Sequence, residues 1–121
     1  MDWKNDLFGF SGRIARARWW LLSIAVNVCG AVLVLAITSL LPADPSQPPP
    51  AFYYIALLIY ALAFGFMSLA ITAKRWHDRD KSAWWVLLGF VPIVGGIWTL
   101  VECGFLKGTA GPNRYGPDPL G

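Results

Sequence analysis

Hydrophobic residues along this chain are gathered into three long runs that short polar segments separate. The runs are 23, 22 and 23 residues long and cover Trp19–Leu41, Phe52–Ala73 and Trp84–Leu106. A helix rises about 1.5 Å per residue, so each run reaches roughly 33–35 Å and can cross a hydrocarbon core of about 30 Å. The pattern predicts an all-α membrane protein with three transmembrane helices, in a single domain over residues 1–121.

The polar segments are too short to form a separate soluble domain. In the segment before the first run, Trp3, Leu7, Phe8 and Phe10 have a spacing that predicts a short amphipathic helix at the membrane interface. The chain beyond the third run is dense in Gly, Pro and Asn, which predicts a turn-rich tail. Whether the tail part Asn113–Pro119 docks onto the membrane face is left open by the sequence.

Composition supports a membrane protein. The chain is 56% hydrophobic and 14% charged, with a mean hydropathy of +0.51, whereas soluble domains have about 25% charged residues.

The first run is longer than the apolar region of a cleavable signal peptide, about 7–15 residues, so we expect an uncleaved anchor. Cys29 and Cys103 differ in predicted depth and lack metal-ligand spacing, so no disulfide, metal site or cofactor is predicted.

The distribution of Lys and Arg predicts the orientation. Four lie before Trp19, none in the proline-rich link after the first run, four in the link after the second run, and two in the tail. With three spans, the N-terminal segment and the second link share one side, which holds 8 cations against 2. Because cations concentrate on the cytoplasmic side, we expect a cytoplasmic N-terminus and an external C-terminus. The net charge of +3 is therefore interpreted as a membrane-surface property, and no nucleic-acid partner is expected.

The third run contains an interruption that leaves an alternative open. Pro92 and the pair Gly95-Gly96 would allow the run to re-enter and return, which would place Lys107 and Arg114 in the cytoplasm as well. Broken helices at membrane depth persist only where they are buried in protein or line a cavity. A simple span is the preferred prediction, and the re-entrant path is the alternative.

Three polar motifs flank the runs in a fixed order. They are Phe10–Arg16 closing on Trp20, Lys74–Asp78 continuing to Trp85, and Gly108–Pro119. In this order they resemble the bacterial inner-membrane proteins of domain-of-unknown-function family 805 (DUF805), over nearly the whole chain. The resemblance implies a bacterial plasma-membrane location and carries no activity with it. The chain departs from the family at Arg18, where an acidic residue is frequent, and at Trp76, where leucine is frequent.

Basic residues on the predicted cytoplasmic side form a candidate binding rim. Arg13 and Arg16 are three residues apart, Arg75 and Lys81 come from the other link, and Ser82 is a candidate N-cap of the third run, with Asp80 as the other choice. A helix N-terminus beside arginines is a suitable phosphate site, and at this depth the phosphate is a lipid headgroup. These residues are predicted to bind anionic lipids or an acidic membrane partner. The alternative is that the charges only fix the orientation.

The adjacent pair His77 and Asp78 raises the question of catalysis. A histidine oriented by a carboxylate can act as a general base, but neighbours on a helix point in different directions, and no convincing nucleophile accompanies them. We therefore expect no enzyme. Asp78 is instead expected to pair with Arg75 or an N-terminal arginine, in a polar clasp of Arg75, His77 and Asp78 that joins two cytoplasmic segments.

Two polar residues stand out within the runs. Asn27 lies near the middle of the first run and should seek a partner on another helix. Glu102 is the lone acid of the runs, and a straight third span would place it near the outer interface, where an interfacial role is preferred over a proton or ion pathway.

The leading functional hypothesis is a non-enzymatic accessory or scaffold protein of the inner membrane, with the bilayer, anionic lipids, another membrane protein or a second copy of itself as partners. A subunit of an oligomeric small-solute or ion transporter, with a cavity lined by Glu102, Asn27 or the Gly95-Gly96 break, is the alternative. A lipid-modifying enzyme that uses His77 and Asp78 is the third hypothesis.

Overall fold

The computed structural model describes residues 3–121, and this part of the chain contains helices and turns but no strand. The all-helical prediction is thus confirmed. The α-helices are α1 Trp3–Phe8, α2 Arg16–Thr38, α3 Ala51–Asp78 and α4 Val94–Thr99. A 3-10 helix, Ala83–Phe90, precedes α4, and a π-helical segment, Leu100–Phe105, continues it.

Helices α2 and α3 form an antiparallel pair and are long and apolar enough to cross a membrane. Trp19 at the start of α2 reaches Thr72 near the end of α3, whereas Gly30 packs on Tyr60 near its beginning. A Cβ at Gly30 would lie 3.0 Å from the Tyr60 hydroxyl oxygen, so glycine permits the close approach. With 28 residues, α3 is about 42 Å long and exceeds a hydrocarbon core of about 30 Å by roughly two turns.

The third apolar run does not form the single transmembrane helix predicted over residues 84–106. Its 3-10 helix ends at Phe90, and the chain reverses at Pro92 and Ile93 before residues 94–105 run back as a short apolar helix. Ile93 takes a left-handed backbone conformation with φ of 65° in this turn. A Cβ at Gly95 would overlap the carbonyl of Leu88, so only glycine lets the two arms pass this closely. We call residues 83–105 the apolar hairpin.

Both ends of the apolar hairpin lie beside the C-terminal end of α3. The Lys81 ammonium lies 2.6 Å from the Glu102 carboxylate, and the Trp20 indole donates a 2.8 Å hydrogen bond to the Gly104 carbonyl. The tail that follows therefore lies at the same end of the helix pair as the N-terminal segment. The straight third span, on which the prediction of termini on opposite sides rests, is therefore wrong, and the re-entrant alternative describes the path of the chain.

Buried side chains are concentrated at this end of the molecule, where Ile14, Trp19, Ile71, Trp76 and Cys103 form much of the core. Towards the other end, α2 and α3 leave most apolar side chains exposed, as at Leu35 and Leu62. Exposed leucines on long apolar helices are the pattern expected where the surroundings are lipid rather than water.

Candidate functional site

The last turns of α3 carry charged side chains that are buried. Lys74 and Arg75 are 0% exposed and Asp78 is 4% exposed. Buried charges are costly unless they are paired and hydrogen-bonded. With Arg13 and His77 these residues form a cluster that we call the polar knot, and the described residues supply its partners.

Asp78 is shared by two arginines. Its Oδ1 accepts a 2.9 Å hydrogen bond from Arg13 Nε, and its Oδ2 pairs with the Arg75 guanidinium. Both pairings expected for Asp78 are thus present. The remaining Arg75 N–H groups donate to the carbonyls of Ile14, Cys103 and Leu106, so this side chain joins α3 to the N-terminal segment and to the end of the apolar hairpin.

Arg13 extends the same network into the tail. It donates to the carbonyls of Thr109, Gly111 and Gly116 at 2.6, 2.7 and 3.2 Å. The Arg13 side chain is 1% exposed. Arg13 and Arg75 therefore face the protein interior and present no surface to a headgroup, in contrast to their place in the predicted rim.

From the sequence, Lys74 is only one of the cations that predict the membrane orientation. In the structure, its hydrogen bonds hold the N-terminal segment in place. Its ammonium donates to the carbonyls of Asn5, Asp6 and Gly9, which surround the end of α1. The last carbonyls of a helix lack intrahelical donors, and a lysine can satisfy them. The signal was too weak to find in the sequence because 65–69 residues separate the donor from its acceptors.

His77 makes contacts that do not resemble a catalytic dyad. Its Nδ1 lies 2.9 Å from the Gly12 carbonyl oxygen, which can only accept, so Nδ1 carries the proton. The ring stacks on Tyr115 at a centroid distance of 4.0 Å and an interplanar angle of 4°. The His77 ring is therefore oriented by a carbonyl and an aromatic side chain, while the adjacent Asp78 serves the two arginines.

The tail docks onto the end of α3, which the sequence could not decide. The Thr109 amide donates to the Asp78 carbonyl at 2.6 Å, and the Asn113 side chain donates to the His77 carbonyl at 2.9 Å. The first bond satisfies a carbonyl that the helix end leaves open, and the second adds a side-chain donor to the His77 carbonyl, which also accepts the Asp80 amide at 2.9 Å. A Cβ at position 108 would overlap the Asp78 carboxylate, so the tail can pass this close to Asp78 only because residue 108 is glycine.

Asp118 shapes the tail itself. Its carboxylate accepts the amide N–H groups of Leu120 and Gly111 at 2.9 and 2.8 Å. Hydrogen bonds to the charged form favour it, so these two bonds lower the pKa of Asp118 from its usual value.

Glu102 lies at the same end of the α2–α3 pair as the polar knot, which we call the polar end. It pairs with Lys81 at 2.6 Å and with Arg79 at 3.2 Å, and it accepts the Trp98 indole N–H at 3.0 Å. The expectation of a position near the outer interface assumed a straight span, and it is wrong because the apolar hairpin returns to its starting side. The Lys81 ammonium also lies 4.6 Å from the Trp85 ring centroid.

The other predicted site residues have simpler surroundings. Ser82 occupies the position before the 3-10 helix, but its side chain makes no capping bond. Asn27 is exposed in the middle of α2 and donates to the Ser23 carbonyl at 2.7 Å. No cluster of His, Cys, Asp or Glu within residues 3–121 is placed to hold a metal ion.

Arg16 remains on the surface, and a second cation lies near it. One Arg16 N–H donates to the Phe105 carbonyl at 2.6 Å, and the exposed side chain lines a cavity of about 210 Å³ together with Lys107, Gly108 and Thr109. Within the described part of the chain, neither Arg16 nor Lys107 pairs with a carboxylate. Lys107 was not singled out by sequence reasoning because a straight third span placed it on the opposite side.

Comparison with known proteins identifies relatives over nearly the full length. Residues 7–117 match the family described as "Protein of unknown function (DUF805)". The chain is 37% identical over 119 residues to the inner membrane protein YhaI of Escherichia coli strain K12, which covers 95% of this chain and 89% of YhaI. It is 32% identical over 124 residues to the inner membrane protein YhaH of the same strain, which covers 98% and 97% of the two chains. No solved structure matches. The resemblance inferred from the three motifs is confirmed.

Proposed function

Since this chain belongs to the DUF805 family, we propose that it is a non-enzymatic integral protein of the bacterial inner membrane that binds the phosphate of anionic lipids with Arg16 and Lys107. The membrane location is supported by the two long apolar helices and by relatives named as inner membrane proteins.

Charge supports a cytoplasmic position for the polar knot. The N-terminal segment and the second link carry four cations each and the tail carries two, which accounts for all 10 Lys and Arg of the chain. Because the apolar hairpin returns, all of them lie at one end of the α2–α3 pair, and the link at the other end has none. This asymmetry exceeds the 8 against 2 expected for three spans, and it favours both termini in the cytoplasm.

The observation that carries the lipid proposal is the pair of exposed cations beside one cavity. Arg114 is also exposed but pairs with Asp80, and Lys4 lies over the Trp3 ring. Arg16 and Lys107 alone combine exposure, absence of a carboxylate partner and a shared cavity within residues 3–121. Guanidinium and ammonium groups bind phosphate through charge-assisted hydrogen bonds.

Two carboxylates also line this cavity, and their surroundings support the proposal. Asp78 is bonded to Arg13 and Arg75, and Asp118 accepts two backbone N–H groups. Their oxygens are therefore occupied, and Arg13 compensates part of their charge. The free donors at the cavity belong to Arg16 and Lys107.

The test compares lipids retained by the protein in native-membrane discs, measured by native mass spectrometry. We expect anionic phospholipid on the wild-type protein and about thirtyfold less on the double variant Arg16→Gln and Lys107→Gln, because each of the two cations contributes about 1 kcal/mol near an anionic surface. Arg114→Gln is the matched control, since it removes an exposed cation that is already paired. Equal retention by the double variant, or equal loss in the control, would contradict the proposal.

The polar knot has a structural part in this proposal. It joins the N-terminal segment, the end of α3 and the tail, and thereby fixes Arg16 next to Lys107. This arrangement favours a scaffold over a lipid-modifying enzyme. The His77 and Asp78 side chains are each engaged with other partners, and no nucleophilic side chain lies between these two side chains.

A further inference from the structure

Asn27 places an incompletely bonded carboxamide at the centre of a membrane-spanning helix. It is residue 12 of the 23 in α2, with 11 residues on each side. Its Nδ2 donates to the Ser23 carbonyl, but its Oδ1 has no hydrogen-bond partner within residues 3–121. The side chain is exposed. In hydrocarbon, no water can supply the missing bond, so the amide favours a partner from another molecule.

A groove beside Asn27 gives such a partner access. The groove encloses about 530 Å³ between α2 and α3. Beside Asn27 it is lined on α2 by Ser23 and Ala31, one turn on either side, and on α3 by Ser68 and Thr72. Larger side chains of α2 also line it, namely Trp19, Trp20, Ile24 and Val28. Small side chains let a second helix approach closely. Lipid chains carry no hydrogen-bonding group, so they leave the Asn27 amide unsatisfied.

We propose that the occupant is a second copy of this chain, with the two α2 helices packed in parallel about a two-fold axis and each Asn27 bonded to the other. A carboxamide has both a donor and an acceptor, so two of them are self-complementary. Copies in one membrane share the same orientation and depth, so the axis brings identical residues together in an isologous interface. A second copy therefore presents the required amide at the required depth.

Cys29 provides an internal reference for the proposed face. It is exposed and free, and two residues along a helix correspond to a rotation of about 200°, which places it opposite Asn27. Ala31 is four residues from Asn27 and lies on the same face. A cysteine at position 31 should therefore meet its copy across the interface, whereas Cys29 should not. Cys103 is buried and does not interfere.

The experiment is disulfide cross-linking of the full chain in native membranes, with copper(II)-phenanthroline and oxygen as the oxidant. We expect a covalent dimer from the variant Cys29→Ser with Ala31→Cys, and none from the wild-type chain. When Asn27→Leu is added to this double variant, the cross-linked fraction should fall about tenfold. When Asn27→Gln is added instead, most of the cross-linked fraction should remain. Val32→Leu, a change of similar kind on an exposed residue away from this face, should have no effect.

The proposal is overturned by cross-linking through Cys29 as efficient as through position 31, by an unchanged yield with Asn27→Leu, or by the absence of a dimer. Because Asn27 faces outwards, its replacement should leave the polar knot intact, and an unchanged tryptophan emission spectrum would verify this. The lipid site is tested independently, since Arg16→Gln with Lys107→Gln should leave the cross-link unchanged. Loss of one property without the other therefore identifies which proposal fails.

Discussion

Arg13 and Asp78, 65 residues apart in sequence, form a buried ion pair in which Nε and Oδ1 are 2.9 Å apart. The same carboxylate also serves Arg75. Two guanidinium groups are thus held in the interior by one acid, and their other hydrogen bonds reach the N-terminal segment, the end of the apolar hairpin and the tail. This relationship makes Asp78 the most sensitive position that we identify.

Asp78→Asn should destabilise the folded protein by about 3–5 kcal/mol, because it leaves two buried cations without a compensating charge. Unfolding by denaturant in a membrane mimetic, followed by tryptophan fluorescence, measures the effect. Asp80→Asn is the control: Asp80 and Arg114 form an exposed pair, and such pairs contribute about 0–1 kcal/mol. Similar losses for the two variants would contradict the central role of Asp78.

Gly108→Ala should displace the tail from the end of α3. The added Cβ would overlap the Asp78 carboxylate and lie 2.9 Å from the Asp78 carbonyl oxygen, so the clash involves backbone as well as side chain. We expect trypsin to cleave after Arg114 about tenfold faster than in the wild type, as local opening limits cleavage. Gly65→Ala is the control, because no atom lies within 4 Å of the added Cβ. Unchanged cleavage after Gly108→Ala would show that the tail is not held here.

Glu102→Gln should loosen the apolar hairpin at its returning end. The change removes ion pairs to Arg79 and Lys81, whose side chains are about one quarter exposed, so we expect a modest loss of about 1 kcal/mol in the free energy of unfolding. Hydrogen exchange should increase over residues 94–105 and remain unchanged in the middle of α3. A solute flux that depends on Glu102 while exchange stays constant would instead support the transport hypothesis.

Acidification should release the tail through Asp118. Its pKa in the folded protein lies below the ordinary value of 3.8 because Leu120 and Gly111 donate to the carboxylate. A lowered folded-state pKa contributes stability above the unfolded-state value, and the contribution is lost as the pH falls through the folded-state pKa. Hydrogen exchange over residues 109–120 should therefore be constant from pH 7 to about 5 and increase below about 4, once corrected for the intrinsic pH dependence. Asp118→Asn should remove this acid-dependent step, and a step that persists in the variant would assign it to another group.

Hydrophobic length identified α2 and α3 because a spanning helix satisfies its own backbone, so length and apolarity are sufficient signals. The same count failed for residues 84–106. Length does not specify direction, and the reversal at Pro92 and Gly95 depends on how tightly two arms of one run can pack. The interruption is visible in the sequence, but the choice between a span and a return follows from contacts of the folded chain, such as those of Glu102 with Arg79 and Lys81.

The candidate site was predictable only where its contacts are local. Arg75 and Asp78 are three residues apart on a helix, so their pairing follows from spacing. The bonds of Lys74 to the end of α1, and those of Arg13 to the tail, join segments at least 65 residues apart. Such contacts depend on the whole fold, which is why Arg13 was expected at the surface and was found in the interior.

The apolar hairpin gives the molecule different widths at different depths. Its 3-10 arm of eight residues is about 16 Å long and its returning arm of 12 residues about 18 Å, roughly half the thickness of a hydrocarbon core of about 30 Å. In a membrane crossed by α2 and α3, four chain segments would therefore lie in the half beside the polar knot, and only α2 and α3 would lie in the other half. In such a membrane, each copy would displace more lipid from the leaflet beside the polar knot than from the opposite leaflet.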